Sequence, residues 1–388
     1  MKLKLLHLFS ATQSVFYFME YQLQYMIDRD IEVHVILPMD NVYFPKIKKR
    51  DPAVHFHHVD LRREISPVTD LKSLWSIRKI IAQVIPDIIH LHTPKASFLG
   101  AMAAKSLGRK NIIYHIHGLV SANNASWKNP IYVLEKLTCQ MASRILCVSD
   151  SIRQHAIDKK YCDSAKVSVI ANGTVNGIDF QNRFSSDKLS ISKYKDIRAS
   201  EDEFIVGFVG RLSEAKGFFD YLQVCDTLVS SNPNLKAVIV GPNETQDKMT
   251  NVMSKYANLN SDNCILIGEI NDPENVIFHF DLMLFPTHRE GFGLVAAEAN
   301  ALGVPVVGYD IPGLRDAVEN GTTATLVPVY NVPELSKAVK SFIDDENMLL
   351  EFGENGVSRV RRLFDGNLIR EEVYNFYFKN FIIQSDRI

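Results

Sequence analysis

The stretch from Phe285 to Val307 leaves an apolar run, crosses a glycine-containing loop and enters a helical segment. It carries two glutamates, Glu290 in the loop and Glu298 about two turns into the helix. Backbone N–H groups near Phe292 and Gly293 then stand at a helix N-terminus, where an anionic phosphate is favoured. The glycines let the backbone come close to it. Carboxylates on either side of a phosphate can take hydroxyl-rich groups, a sugar at Glu290 and a ribose at Glu298. Read alone, the stretch also fits a capping glutamate and a solvated one.

A second cluster, Gly207 to Gly217, joins an apolar run to the next helical segment and holds Arg211 and Lys216. Both cations fall at the C-terminal end of a strand, the ligand edge of an open α/β sheet, and together they suit a diphosphate. Ile113-Tyr-His-Ile-His-Gly118 ends another strand with His117 at the same kind of edge. That imidazole could donate a hydrogen bond to a sugar hydroxyl or accept one.

Other patterns point away from metals and cofactors. His57-His58, His90-x-His92 and His115-x-His117 resemble fragments of metal sites, but alternation puts the members of an H-x-H pair on one strand face with no acidic partner nearby in sequence, and none is expected to hold an ion. Asp28-Arg-Asp30 has the spacing of a chelating DxD yet precedes a strand, so it reads as a solvated turn. Cys139, Cys147, Cys162, Cys225 and Cys264 show no ligand spacing and read as buried thiols. No GxGxxG follows a strand and no GxxxxGK[ST] occurs, which leaves a dinucleotide cofactor and an ATPase unsupported.

Elements able to position these groups are legible. Apolar, β-branched runs alternate with amphipathic stretches, the pattern of βαβ units and parallel sheets. In the first half the strands are expected at 4–9, 32–37, 54–59, 88–92, 112–117, 145–148 and 167–170, with helices at 15–28, 71–84, 96–106, 131–141 and 151–158. Polar residues 185–202 lose the rhythm and read as an inter-domain linker. A second series follows at 205–209, 236–240, 265–267, 282–285, 306–308 and 325–327, then consecutive helices. The 388 residues, 46% hydrophobic and 23% charged, suit two doubly wound Rossmann-like α/β domains. These are expected over 1–178 and 179–365, with a helix in 366–388 crossing back to the first.

The net charge of −2 conceals an asymmetry, since residues 1–178 carry 23 Lys+Arg against 14 Asp+Glu. Lys46, Lys48, Lys49 and Arg50 form one basic run, with Arg62 and Arg63 nearby. An anionic membrane surface is the partner expected for that face, and nucleic acid is not. With no apolar run long enough to span a bilayer, the chain is expected in the cytoplasm, peripheral on the inner face of the cell membrane.

Together these residues resemble glycosyltransferase family 4, retaining transferases of the two-domain GT-B fold with facing Rossmann-like domains. Glu290 and Glu298 match the family's paired glutamates, Arg211 and Lys216 its diphosphate-binding pair, and His117 its first-domain histidine at the donor sugar. The resemblance implies that Glu298 holds the ribose, and that Glu290 with the backbone of Gly291 to Leu294 holds sugar and phosphates. Gly210 and Asn172 join the donor-binding set. It also implies a nucleotide diphosphate sugar as co-substrate, UDP-linked, with no cofactor and no metal, and hexosyl or N-acetylhexosaminyl transfer to a lipid-linked or oligosaccharide acceptor. Where many members place a Gly-Gly turn, this chain has Ser10-Ala-Thr-Gln-Ser14, so a hydroxyl of Thr12 or Ser14 is expected to replace that phosphate or acceptor contact. Ala324 likewise stands where a glycine is common. An epimerase or phosphorylase on the same fold, or a non-catalytic sugar-nucleotide-binding partner, are the alternatives.

Overall fold

Runs of Ile, Val, Leu and Phe become parallel strands buried on both faces, because each crossover helix lies back over the sheet it connects. The computed structural model describes residues 2–62, 66–119, 121, 126, 128–185, 188–245 and 247–382. The chain divides into two units, Met1–Gly177 with Asn367–Ile388, and Ile178–Gly366.

In the first unit the strands are β1 (Leu3–Leu8), β2 (Ile31–Leu37), β3 (His55–His58), β4 (Ile88–His92), β5 (Ile112–Ile116), β6 (Arg144–Cys147) and β7 (Val167–Val169). Their order is β3-β2-β1-β4-β5-β6-β7, all parallel. The second unit has β8 (Phe204–Val209), β9 (Leu235–Val240), β10 (Cys264–Gly268), β11 (Leu282–Phe285), β12 (Val306–Tyr309) and β13 (Ala324–Val327), ordered β10-β9-β8-β11-β12-β13. In each sheet the order reverses next to the first strand, at β1/β4 and at β8/β11. The crevice outside the carboxyl ends of such strands is where doubly wound folds bind ligands.

Three helices begin earlier than apolar spacing indicates, at Pro67, Pro94 and Pro130. A proline fits the first helical turn because its missing N–H would be unpaired there anyway. The single helix expected over 15–28 is two, Thr12–Phe18 and Gln22–Ile27, broken where Tyr21 takes a left-handed φ of 58°. Carbonyls freed at the break find donors from afar: Arg50 Nη1 donates to Phe16 O at 2.7 Å and Asn176 Nδ2 to Tyr17 O at 3.0 Å.

The polar stretch expected as a linker is instead strapped to the second unit. Ser190 N donates to Asn275 Oδ1 at 2.6 Å, Lys193 pairs with Asp272 at 2.6 Å, and Arg198 with Asp281 at 2.6 Å. Its charges serve ion pairs with that unit's own surface, which sequence polarity alone cannot distinguish from solvation. The chain leaves the first unit at Gly177 and returns after Gly366. The two passages are stitched by Ile178 N to Phe364 O at 2.7 Å and Gly366 N to Ile178 O at 2.8 Å. The helix Gly366–Tyr377 then buries Ile369, Val373 and Tyr377 in the first unit's core with Leu5, Phe9, Val33 and Ile113.

Candidate functional site

In the second unit, β8 and β11 each end in one of the two loops singled out by their chemistry. Gly217, at φ +69°, lies so near the other loop that a Cβ would stand 1.8 Å from Pro286 O. Only glycine permits that approach. His288 N donates to Ala215 O at 3.1 Å, fixing the loops to each other. Lys216 Nζ and Glu290 Oε1 form an ion pair, both side chains largely buried, and the buried Thr287 hydroxyl lies 3.1 Å from the same oxygen. Gly313 presses on the backbone of this loop, where a Cβ would meet Glu290 O at 2.7 Å. Lys216 and Glu290, 74 residues apart in sequence, are thus one preorganised unit.

Gly293, at φ +88°, caps the helix Leu294–Ala301 without a side-chain hydrogen bond. Backbone donors at that end are left for an anion. Because the helix starts at Leu294, half-buried Glu298 lies just past its first turn, not two turns in. Phe292 is buried edge-on against Phe364, with ring centroids 5.0 Å apart, and anchors the loop. Arg211, exposed just after Gly210, pairs with Glu244 at 2.7 Å.

Sequence reasoning missed Glu244 and a second support of the Glu290 loop. His288 Nε2 lies 3.0 Å from Asp220 Oδ2, and Tyr309 OH donates to that oxygen at 2.8 Å. Burial and the Asp220 carboxylate push the Tyr309 phenol pKa up. These residues come from three separate elements with no shared motif, so no local pattern signals them.

In the first unit His117 directly follows β5, stacked on Phe18 at 4.9 Å. It belongs to an array absent from the sequence reading. Parallel register sets His7 beside His90 and His92 beside His115. His7, His90, His92 and His115 are buried, and with His117 they stack at centroid distances of 4.3 to 5.6 Å. Two triads, His7-His90-His92 and His92-His115-His117, each bring a ring nitrogen from every member within 4.8 Å of the others. Spacing along one strand shows each H-x-H pair alone; the sheet puts the pairs side by side. Burial holds all five neutral, pushing His7 and His117 down to about 3 and His90, His92 and His115 well below the ordinary range. Among the described residues no carboxylate contributes to those shifts.

The remaining expected residues fall as follows. Thr12 is buried and its hydroxyl donates to Pro38 O, so it does not offer the exposed O–H expected of it; a threonine carries one such proton, and here it is engaged inside the unit. Ser14 is partly exposed on the same short helix. The loop after β1 is tied to the one after β4 by Ser10 Oγ, which donates to Thr93 Oγ1 at 2.8 Å. Asn172 sits on an exposed turn after β7, at the sheet edge remote from β1/β4. Asp28 and Asp30 are exposed before β2, Asp28 accepting from Gln24 at 2.7 Å and Asp30 pairing with Lys2 at 3.1 Å. They are a solvated turn. In the basic run Lys46, Lys48 and Lys49 face solvent, while Arg50 turns inward to Phe16 O and to buried Asp51 at 2.8 Å. Arg62 is exposed and Arg63 lies outside the described residues. The asymmetry of charge follows the units, the first holding 26 Lys+Arg against 17 Asp+Glu.

Residues 17–175 match the model of "Glycosyltransferase Family 4", and residues 191–359 that of "Glycosyl transferases group 1". The capsular polysaccharide biosynthesis glycosyltransferase CapM of Staphylococcus aureus is 30% identical over 377 residues, 96% of each chain. The chain belongs to glycosyltransferase family 4. An Escherichia coli relative, the UDP-Gal:alpha-D-GlcNAc-diphosphoundecaprenol alpha-1,3-galactosyltransferase, is 27% identical over 74% of both chains. Among solved structures, Anabaena HepE in complex with UDP and glucose superposes with a TM-score of 0.80 at 20% identity, covering 97% of this chain and all of that one. Sucrose-phosphate synthase of Thermosynechococcus elongatus does so with 0.81 at 17%, covering 97% and 99%. The two α/β units of this family 4 glycosyltransferase therefore have the GT-B fold.

Proposed function

We propose that this glycosyltransferase moves a hexosyl or N-acetylhexosaminyl group from a UDP-sugar to a lipid-linked or oligosaccharide acceptor in surface-glycan assembly, with retention of anomeric configuration and no metal at the leaving group. The observation that carries it is the Lys216–Glu290 pair held on glycine-locked loops beside an uncapped helix N-terminus. As the bond from the anomeric carbon to phosphate breaks, charge grows on the departing diphosphate. Fixed donors aimed there stabilise it without reorganisation. Lys216, Arg211 and the backbone N–H groups of Gly293 and Leu294 supply them, while Glu290 holds the sugar, Glu298 the ribose and His117 a sugar oxygen. The acceptor oxygen attacks from the face the phosphate leaves, and its proton passes to the leaving phosphate oxygen. HepE in complex with UDP supports the nucleotide, and the diphosphoundecaprenol named for the Escherichia coli relative supports a lipid-linked acceptor.

Membrane attachment is part of the same reading. On the helix Pro67–Val84, Val68, Leu71 and Trp75 lie at i, i+3 and i+7 and are exposed, flanked by Lys72, Arg78 and Lys79. An apolar stripe with a basic border suits the interface of an anionic bilayer. Among the described residues no helix is long and apolar enough to cross a membrane. Incubating the protein with UDP-sugars and a polyprenyl-diphosphate acceptor, then resolving the product anomer, tests the proposal: UDP release with a retained anomer supports it, and an inverted product refutes the stereochemistry.

A further inference from the structure

Three of the five clustered imidazoles form a continuous string. His7 Nδ1 lies 3.1 Å from His92 Nε2, and His92 Nδ1 lies 2.9 Å from His117 Nε2. Each ring is neutral, so each carries one N–H and one lone pair, and choosing the first hydrogen bond's direction fixes the others. Only two arrangements satisfy both bonds. If protons point outward from the core, His7 keeps a bare lone pair at Nε2 and His117 presents an N–H at Nδ1. If they point inward, His117 Nδ1 is the lone pair and His7 Nε2 is the N–H.

Both end atoms, His7 Nε2 and His117 Nδ1, are buried without a hydrogen-bond partner. The two arrangements therefore differ in where the unpaired N–H sits. His7 is 1% exposed on a central strand, whereas His117 is partly exposed beyond the end of β5. An orphan donor in a core is costly because it gives up its bond to water, and orphan N–H groups are rarer than under-used acceptors. The outward arrangement moves the unpaired donor off the central strand and onto His117, just past the carboxyl end of β5, the ligand edge of a doubly wound sheet.

We infer that His92 and His7 are positioning residues that lock His117 as an Nδ1–H donor, directed at an oxygen of a bound ligand such as a sugar hydroxyl or phosphate oxygen. This rests on the assignment of His117 to the donor sugar and decides between its donating and accepting. Stacking reinforces the string: Phe9 lies on His92 at 4.1 Å and 6°, and Phe18 on His117 at 4.9 Å and 13°. A metal ion held by the same imidazoles is the rival reading. Against it stand the two nitrogen–nitrogen hydrogen bonds already made and a buried dication with no carboxylate in either triad to balance it.

Long-range ¹H–¹⁵N correlation of the full chain, labelled with [ring-¹⁵N]histidine, reads each tautomer directly. The expected wild-type result is a protonated Nδ1 and a bare Nε2 at His117. His92→Phe keeps the aromatic stack and removes both nitrogens; it should shift His117 toward the Nε2–H form and lower kcat/KM for the donor about 10- to 100-fold, the usual effect of losing an orienting partner. His92→Gln, able to accept from His7 and donate to His117, should preserve the tautomer and most of the rate. A wild-type His117 protonated at Nε2, or an unchanged tautomer in His92→Phe, overturns the string. The wild-type spectrum decides even if His92→Phe fails to fold. Should His117→Ala leave donor KM and kcat unchanged while the wild-type tautomer is as expected, the assignment of His117 to the donor sugar fails and the string stands. Stoichiometric Zn²⁺ binding by calorimetry, abolished in His90→Ala, overturns the inference in favour of a metal site.

Discussion

Acid should unfold the first unit well before the second. His7, His90, His92 and His115 are buried and neutral in the fold, with pKa values far below 6.5 because burial penalises the charged ring. The unfolded chain regains the ordinary value, so below pH 6.5 it binds protons that the folded state refuses. Stability is therefore fully present above 6.5 and falls as pH drops. At pH 5.5 each such imidazole removes about 1.4 kcal/mol, and four remove about 6 kcal/mol, comparable to the whole stability of many domains. Among the twelve histidines only His279 and His288 belong to the second unit. Urea titrations at pH 7.5, 6.5 and 5.5, followed by tryptophan fluorescence and far-UV circular dichroism, separate the two, since both tryptophans lie within residues 1–177. A loss of less than about 1.5 kcal/mol between pH 7.5 and 5.5 in the fluorescence-detected transition, equivalent to a single histidine, is incompatible with four imidazoles held neutral in the fold.

Three further outcomes are expected. Lys216→Ala should lower kcat about a hundred- to a thousandfold, since it removes a preorganised cation and leaves Glu290 without its partner; Arg211→Ala, on an exposed side chain, should cost less; EDTA should cost nothing. EDTA inactivation reversed by Mn²⁺ in steady-state assays, with Lys216→Ala near wild type, contradicts this. Glu298→Gln should weaken UDP-sugar binding measured by calorimetry, whereas Glu290→Gln should mainly slow turnover; equal losses of affinity with turnover untouched count against that division. In sedimentation with phosphatidylglycerol vesicles at low salt, the protein should bind, and Trp75→Ala or Lys46→Glu with Lys48→Glu should release it, each surface cation being worth about 1 kcal/mol. Binding unchanged in both variants removes these two patches from the membrane.

Much of the architecture was legible because parallel strands buried on both faces leave continuous apolar runs, and β4 and β11 match their runs residue for residue. Boundaries drifted where a proline opened a helix ahead of its apolar stripe, or where one backbone angle, at Tyr21, cut a stripe in two. The polar stretch 185–202 reads as a linker because ion pairs to one's own domain and exposure to water demand the same polar composition. At the site, Glu290, Lys216 and the Gly293 helix start could be read because loop, strand end and helix start are contiguous in sequence. Their mutual pairing, the Asp220–His288–Tyr309 support and the histidine array could not. Each depends on strand order and register, which bring together residues up to 110 positions apart.

In the proposed mechanism these groups activate a nucleotide-linked sugar for transfer. Nucleoside diphosphate release is its most direct readout, measured across a panel of UDP- and GDP-sugars with a polyprenyl-diphosphate glycan as acceptor. Acceptor-dependent UDP release from one or a few UDP-sugars, stoichiometric with glycosylated lipid and lost in Lys216→Ala, is the predicted result. UDP-sugar that binds but is never turned over with any acceptor, or release undiminished in Lys216→Ala, would contradict it.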